Sequence, residues 1–232
     1  MDTENICYVD ARTGAHTKGY NNDMYQSLEG KMKKFRIIFL FTISFISCTS
    51  NNYKQNSIPL SELYDIPDAF ILDIEPQYQT TNYSCATVSL GMAIKYASND
   101  TIVLSEEECW NYSGTKIESA RKYGNDMNGL GKVCKRFSLK YKFINKMNID
   151  ILQYYIAHEN PVILNIRPTP TQNYTHALLA IGYDKTKKII YINDPSNIIT
   201  QYSYDELKRH WDAWLYRPHI HSEQSGFVIM KE

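Results

Sequence analysis

Cys85, His176 and Asp194 are the residues of this 232-residue chain whose types are best suited to covalent chemistry. A thiolate attacks a carbonyl carbon, an imidazole carries the proton, and a carboxylate fixes the tautomer of the imidazole. Together they are the working parts of a nucleophilic acyl-transfer site. Cys85 ends the polar stretch Gln79-Thr-Thr-Asn-Tyr-Ser and opens a run of helix character. A cysteine at a helix N-terminus meets the positive end of the macrodipole and unpaired backbone N–H groups, and both favour thiolate over thiol. Taken singly, Cys85 equally suits a small buried residue at a helix start, and His176 a satisfied core histidine. The chemical reading therefore rests on the set.

Two elements must position that set. Val88, Met92 and Tyr96 recur every four residues, with Ala93 and Ala97 on the same side, which predicts a helix over 85–97. His176 begins the apolar run Ala177-Leu-Leu-Ala-Ile-Gly-Tyr183. After the polar turn Lys185-Thr-Lys-Lys188 comes a second apolar run, Ile189-Ile-Tyr-Ile192, and then Asn193-Asp194-Pro195. Two such runs around a short charged turn predict a β-hairpin. Folding it about Lys185 and Thr186 sets His176 opposite Pro195 and beside Asp194. Asp184, the rival carboxylate, is eight residues along the strand, roughly 26 Å from His176 at about 3.3 Å per residue. Asp194 is thus expected to orient the imidazole, and it also suits the turn before Pro195. Spacing alone does not bring Cys85 to His176.

With these residues in view, the chain resembles the papain-like cysteine peptidases that process bacteriocin precursors, the double-glycine leader peptidases, and more closely their stand-alone relatives. Four features carry the resemblance: Gln79 six residues before the nucleophile position, Tyr83-Ser-Cys85 followed by an apolar helix, Thr175-His176-Ala-Leu-Leu-Ala-Ile-Gly182-Tyr, and Asn193-Asp194-Pro195 followed by Ser203-Tyr-Asp-Glu-Leu and Trp211. The matching region covers about residues 73–231. The resemblance implies that Gln79 supplies an oxyanion-hole side chain. Gln77 is a nearby alternative, and the offset favours Gln79. It further implies an α+β papain-like fold with an N-terminal helical half packed on a mainly antiparallel sheet, a peptide or protein substrate, and no cofactor. The family commonly has glycine directly after the cysteine, where this chain has Ala86. The family's transporter-linked members carry membrane-spanning and nucleotide-binding regions. This sequence has neither, so a role in leader removal during export has no support from it.

The N-terminus carries a separate message. Lys31-Met-Lys-Lys-Phe-Arg36 is basic, Ile37 to Ile46 is apolar but for Thr42 and Ser44, and Cys48 follows. A charged segment, a short apolar core and a cysteine at the cleavage point read as a bacterial lipoprotein signal over 32–48. About ten apolar residues are too few to span a bilayer. Cys48 is then the lipidated first residue of the mature protein, which places it in the cell envelope on a membrane anchor. A simple cleaved signal is the second reading. Residues 1–31 read as an upstream start chosen in place of Met32, or as a disordered extension. Residues 49–62, rich in Asn, Ser, Lys and Gln, read as a tether, and 63–232 as the peptidase domain.

The rest of the chain narrows the alternatives. Twenty-five basic and 25 acidic residues give a formal charge of zero. No polybasic tract lies beyond the signal, so nucleic-acid binding has no electrostatic support. Gly129-Leu-Gly131 follows no strand, so no phosphate loop or nucleotide partner is expected. His210, His219 and His221 lack a ligand pattern, and no metal is expected. Cys109 and Cys134 either pair in an oxidising compartment or remain two buried thiols. Further helices are predicted after Ser105 (a capping box with Glu108), near 130–138, over 148–157 and from Ser203 to about Trp211. Further strands are predicted at 161–166 and 226–230. The catalytic set would serve transfer as well as hydrolysis. A peptide-binding module without turnover, on the same fold, is the reading from a different class.

Overall fold

In the computed structural model, the central strands are apolar without alternation because both of their faces are covered. The structure describes residues 58–125, 127–167, 175–212 and 224–231. The expected signal, Cys48, the segment before residue 58 and the pair His219 and His221 lie outside these. In chain order the elements are α1 (Leu60–Tyr64), β1 (Ala69–Ile71), α2 (Cys85–Ala97), α3 (Glu106–Ser113), α4 (Ile117–Tyr123), α5 (Met127–Arg136) and β2 (Tyr141–Asn145). Then come α6 (Ile149–Ala157), β3 (Val162–Ile166), β4 (His176–Asp184), β5 (Ile189–Asn193), β6 (Gln201–Ser203), α7 (Tyr204–His210), β7 (Trp211–Asp212) and β8 (Ser225–Ile229). This is the expected α+β arrangement, helices first and then antiparallel strands.

The sheet runs β2-β8-β3-β4-β5-β6, with β1 added to β4 and β7 to β3, and every pairing is antiparallel. Every residue of β3 and β8 is buried, and in β4 only His176 is not. Strands covered on both faces read as continuous apolar runs. The helix α2 packs across β3 and β4 and also against α3 and α5. Its stripe of Val88 and Met92 was expected to face a core, but the burial goes further. Residues 86–94 and Ala97 are all buried, including Thr87, Ser89 and Gly91. A helix enclosed all round is a central helix rather than an amphipathic surface one.

Local signals set several boundaries. Ser105 and Glu108, and again Ser203 and Glu206, form reciprocal capping boxes, which satisfy two otherwise unpaired donors each. The Asn148 side chain accepts from Ile151 N–H and starts α6. The helix expected near 130–138 begins earlier, at Met127, and the tether expected to reach residue 62 gives way to α1 at Leu60. The helix expected to reach Trp211 stops at His210, because Trp211 pairs with Ile166 and its indole N–H donates to Ser225 O at 2.9 Å.

β4 changes neighbours partway along. Residues 176–180 pair with β3, and 182–184 pair with β1. A bulge between Ala180 and Gly182 marks the switch. A Cβ at Gly182 would lie 2.8 Å from Phe70 O and 2.9 Å from Ile71 Cγ1, so only glycine lets β1 approach this closely. Gly182→Ala is expected to destabilise the protein by about 1–3 kcal/mol, since overpacked backbone must move; thermal unfolding checks this.

Candidate active site

β4 delivers the imidazole. His176 is its first residue, pairs with Ile166, and is the one residue of that strand not fully buried. The hairpin was expected to turn about Lys185 and Thr186 and to set His176 opposite Pro195. Asp184 instead pairs with Ile189 across a four-residue turn, in which Lys188 has φ 56°. The bulge then shifts the register, and Leu179 faces Asn193. Continued to the strand end, this pairing sets His176 against Ser196, one residue beyond the expected Pro195. The expected neighbour holds all the same: His176 Nε2 lies 2.6 Å from Asp194 Oδ1. Asp184 is engaged elsewhere, by Lys187 N–H at 2.8 Å and Lys187 Nζ at 2.9 Å.

Asp194 is held from several sides. Its Oδ1 also accepts from Ser196 N–H at 2.8 Å, and its Oδ2 from Ile198 and Ile199 N–H at 3.2 and 3.0 Å. The Asp194 side chain is 1% exposed and that of His176 13%. Ser196, which the sequence did not single out, sets its hydroxyl 3.3 Å from His176 Nε2. Its only signal was its place in the register of the hairpin.

Cys85 sits at the first position of α2, partly exposed. Because α2 crosses β4, the thiol comes to the start of that strand, where Ala177 N–H points at Sγ at 3.4 Å. The thiol lies close enough to the imidazole of His176 to help raise its pKa. With Nε2 committed to Asp194, Nδ1 is the ring nitrogen left to serve the thiol. Cys109 and Cys134 are free, buried thiols rather than a disulfide. Burial, foremost, pushes both up to about 12, which leaves them inert as nucleophiles at neutral pH.

The start of α2 is left open for an anion. Ser84, at the cap position, makes no cap hydrogen bond with its side chain. Its hydroxyl accepts from Trp110 Nε1 at 3.0 Å and meets Thr81 Oγ1 at 2.5 Å. The first backbone N–H groups of the helix, those of Cys85 and Ala86 among them, therefore keep their donor capacity. Ala86 is buried in ordinary helical backbone, so its methyl does not remove that N–H.

The backbone of Gln79 is tied to the residue after Asp194. The segment before Gln79 runs beside β4 and then the end of β5: Leu72 N–H donates to Ile181 O at 2.7 Å, Asn193 Nδ2 to Ile74 O at 2.8 Å, and Gln79 N–H to Pro195 O at 2.9 Å. The side-chain oxygen of Gln79 is buried without a partner among the described residues. Gln77 faces elsewhere, with its Oε1 near Gly91 on α2. His210, from the histidine cluster noted in the sequence, donates Nδ1–H to Arg167 O at 2.9 Å and stacks on Tyr202. Among the described residues, no three metal-ligating side chains gather.

The ionisation of the pair sets a pH window. Burial is the largest influence on His176 and opposes its charged form. Hydrogen bonds with Asp194 and Cys85, and their charges, outweigh it and raise the ring from 6.5 to about 9. Burial is likewise the largest influence on Asp194, yet hydrogen bonds from His176 and from Ser196 and Ile199 N–H hold it below its ordinary 3.8. A raised histidine contributes stability that is fully present below its unfolded value of about 6.5 and lost as pH rises to about 9. A depressed aspartate contributes above about 3.9, and that is lost as pH falls through its folded value. Hence the pair stabilises most between about pH 4 and 6.5. The thermal midpoint is expected to decline from pH 6.5 to 9, and His176→Ala to flatten that decline.

A thiol at a helix N-terminus beside an imidazole held by a buried carboxylate, on helices packed against an antiparallel sheet, defines the class of cysteine peptidases with a papain-like fold. The chain belongs to the Peptidase_C39 like family, whose model matches residues 71–217. No curated protein sequence matches it. Three solved structures share its fold at low identity. A Bacillus anthracis protein described as a C39-like peptidase is 16% identical with a TM-score of 0.53, the match covering 72% of this chain and 99% of that one. The peptidase domain of Streptococcus ComA, a bifunctional ABC transporter of a quorum-sensing pathway, is 14% identical with a TM-score of 0.51, covering 68% and 99%. A double-glycine-motif protease from an AMS/PCAT transporter, solved with its leader peptide, is 16% identical with a TM-score of 0.51, covering 70% and 94%.

Proposed function

We propose that this cysteine peptidase hydrolyses peptide bonds with Cys85 as nucleophile, His176 as general base and acid, Asp194 as the group that orients the ring, and Gln79 with the Cys85 backbone N–H as oxyanion donors. Cys85 Sγ attacks the carbonyl carbon, and the carbonyl oxygen becomes the oxyanion. Collapse breaks the C–N bond, and His176 gives its proton to the leaving amine. A thioester remains on Cys85. Water, losing a proton to His176, attacks it, and the C–S bond breaks to restore the thiolate. The observation that carries this reading is the 2.6 Å contact of His176 Nε2 with a buried Asp194, with Cys85 Sγ 3.4 Å from the N–H of the next residue, Ala177. The leader peptide bound by the transporter-derived protease supports a peptide as the substrate class.

The test is incubation of the full chain with a complex peptide mixture, with new N-termini read by mass spectrometry and Cys85→Ala as the blank. New termini are expected with the native protein only; their absence contradicts hydrolysis. Ligated peptides in the same spectra would instead mark transfer of the thioester to an amine.

The peptidase is further proposed to be exported and anchored through lipid on Cys48, a reading supported by the basic and apolar segment before that residue. Radiolabelled palmitate fed to an expressing bacterium is expected to label the native chain and not Cys48→Ala. An unlabelled native chain contradicts the anchor.

A further inference from the structure

We infer that Glu106, the first residue of α3, is a positioning residue that holds the oxyanion donors in place. This rests on the reading of Gln79 as an oxyanion donor. The side-chain oxygen of Gln79 has no hydrogen-bond partner among the described residues, so the position of the residue depends on its backbone. On one side that backbone is tied to Pro195 O, next to Asp194. On the other side, Thr80 N–H donates to Glu106 Oε2 at 2.8 Å, and Thr80 Oγ1 donates to Glu106 Oε1 at 3.1 Å. The residue after Gln79 is thus gripped twice by one carboxylate.

The same carboxylate reaches toward the nucleophile. Thr81 Oγ1 lies 3.4 Å from Glu106 Oε1 and 2.5 Å from Ser84 Oγ, and Ser84 Oγ accepts from Trp110 Nε1. The indole can only donate and the carboxylate can only accept. The protons between them therefore point one way, from Trp110 to Ser84, Thr81 and Glu106. That direction keeps the Ser84 hydroxyl turned away from the N–H groups that open α2. Two residues of α3 thereby fix both ends of the loop 79–85, the end bearing Gln79 and the end bearing Cys85.

Packing does not do this instead. A cavity of about 210 Å³ lies behind the loop, lined by Gln77, Tyr78, Thr80, Thr87 and Glu106 among others. Nor does α3 need Glu106 for its own start, because its cap is made by Ser105 and Glu108. Glu106 is therefore spent on the loop and not on the helix.

Two reagents separate the oxyanion donors from the nucleophile. Acylation of Cys85 by p-nitrophenyl acetate passes through an oxyanion, whereas alkylation by iodoacetamide displaces iodide and forms none. Both rates are measured on the full chain after subtraction of the Cys85→Ala background. Glu106→Ala is expected to slow acylation about tenfold, one step below the 10²–10³ of a lost oxyanion donor, with alkylation unchanged. In a Gln79→Ala background, Glu106→Ala is expected to add little further loss. Glu106→Gln is expected to recover most of the rate, since its amide oxygen still accepts from Thr80 N–H, and it guards against misfolding of the alanine variant. Unchanged acylation in Glu106→Ala, a full loss added to that of Gln79→Ala, or an equal fall with both reagents overturns the inference. Unchanged acylation in Gln79→Ala itself overturns the parent reading of Gln79 and the inference with it. A slow Gln79→Ala beside a normal Glu106→Ala overturns the inference alone.

Discussion

Replacing Cys85 with alanine abolishes peptide hydrolysis, lowering kcat on the order of 10⁶-fold, as expected for loss of a nucleophile that works as a unit with its base. The fold survives it. Cys85 is partly exposed, and its sulfur meets Ala177 N–H at 3.4 Å beside the His176 ring, so the stability cost is about 1 kcal/mol. No other described thiol can stand in. Cys109 and Cys134 are buried and pushed up to about 12, and alanine at either position is expected to keep hydrolysis. Peptide cleavage and thermal unfolding on the three variants check this. Hydrolysis retained in Cys85→Ala would place the chemistry elsewhere.

Asp194 has the second large effect, and it acts on fold and chemistry together. Its carboxylate accepts from His176 and from three backbone N–H groups. Asp194→Asn preserves shape but sets an amide NH₂ against donors on one side in either orientation. It loses the imidazole orientation and is expected to lower kcat about 10⁴-fold, the scale seen when a triad carboxylate becomes an amide. Asp194→Ala leaves the N–H groups of Ser196, Ile198 and Ile199 without their acceptor, at about 1–3 kcal/mol for each that stays buried. The alanine variant should therefore melt well below the asparagine variant, with both nearly inactive. An Asp194→Asn protein with native kcat would remove Asp194 from the mechanism.

Much of this site was legible because its signals are local. Helix 85–97 was readable from spacing and is bounded as read, and the capping boxes at Ser105 and Ser203 stand where their sequences put them. Asp194 could be chosen over Asp184 on strand length alone. The meeting of Cys85 with His176 could not be read, since it depends on α2 crossing β4. The hairpin was read with its pairing displaced, because the chain turns over four residues between Asp184 and Ile189, and the bulge between Ala180 and Gly182 undoes only part of that shift. Gly129 and Gly131 lie within α5 because a Cβ on either would meet Asn125 or Tyr141, a tertiary constraint invisible in the sequence. Short or edge strands escaped too. β1 and β6 have three residues each, and β2 pairs only with β8 and is half-exposed. Glu106 carried no sequence signal beyond helix-start acidity, because its partners are Thr80 and Thr81, 26 and 25 residues away.

The most direct test of the central claim is the pH dependence of iodoacetamide labelling of Cys85 in the full chain, with Cys85→Ala as the blank and His176→Ala as the comparison. If the thiol and the imidazole of His176 work as a pair, labelling is already fast near pH 6, where a free thiol with a pKa of about 8.5 is slow, and His176→Ala confines it to alkaline pH. Labelling that is slow near pH 6 and indifferent to His176 would contradict the pairing on which the mechanism depends.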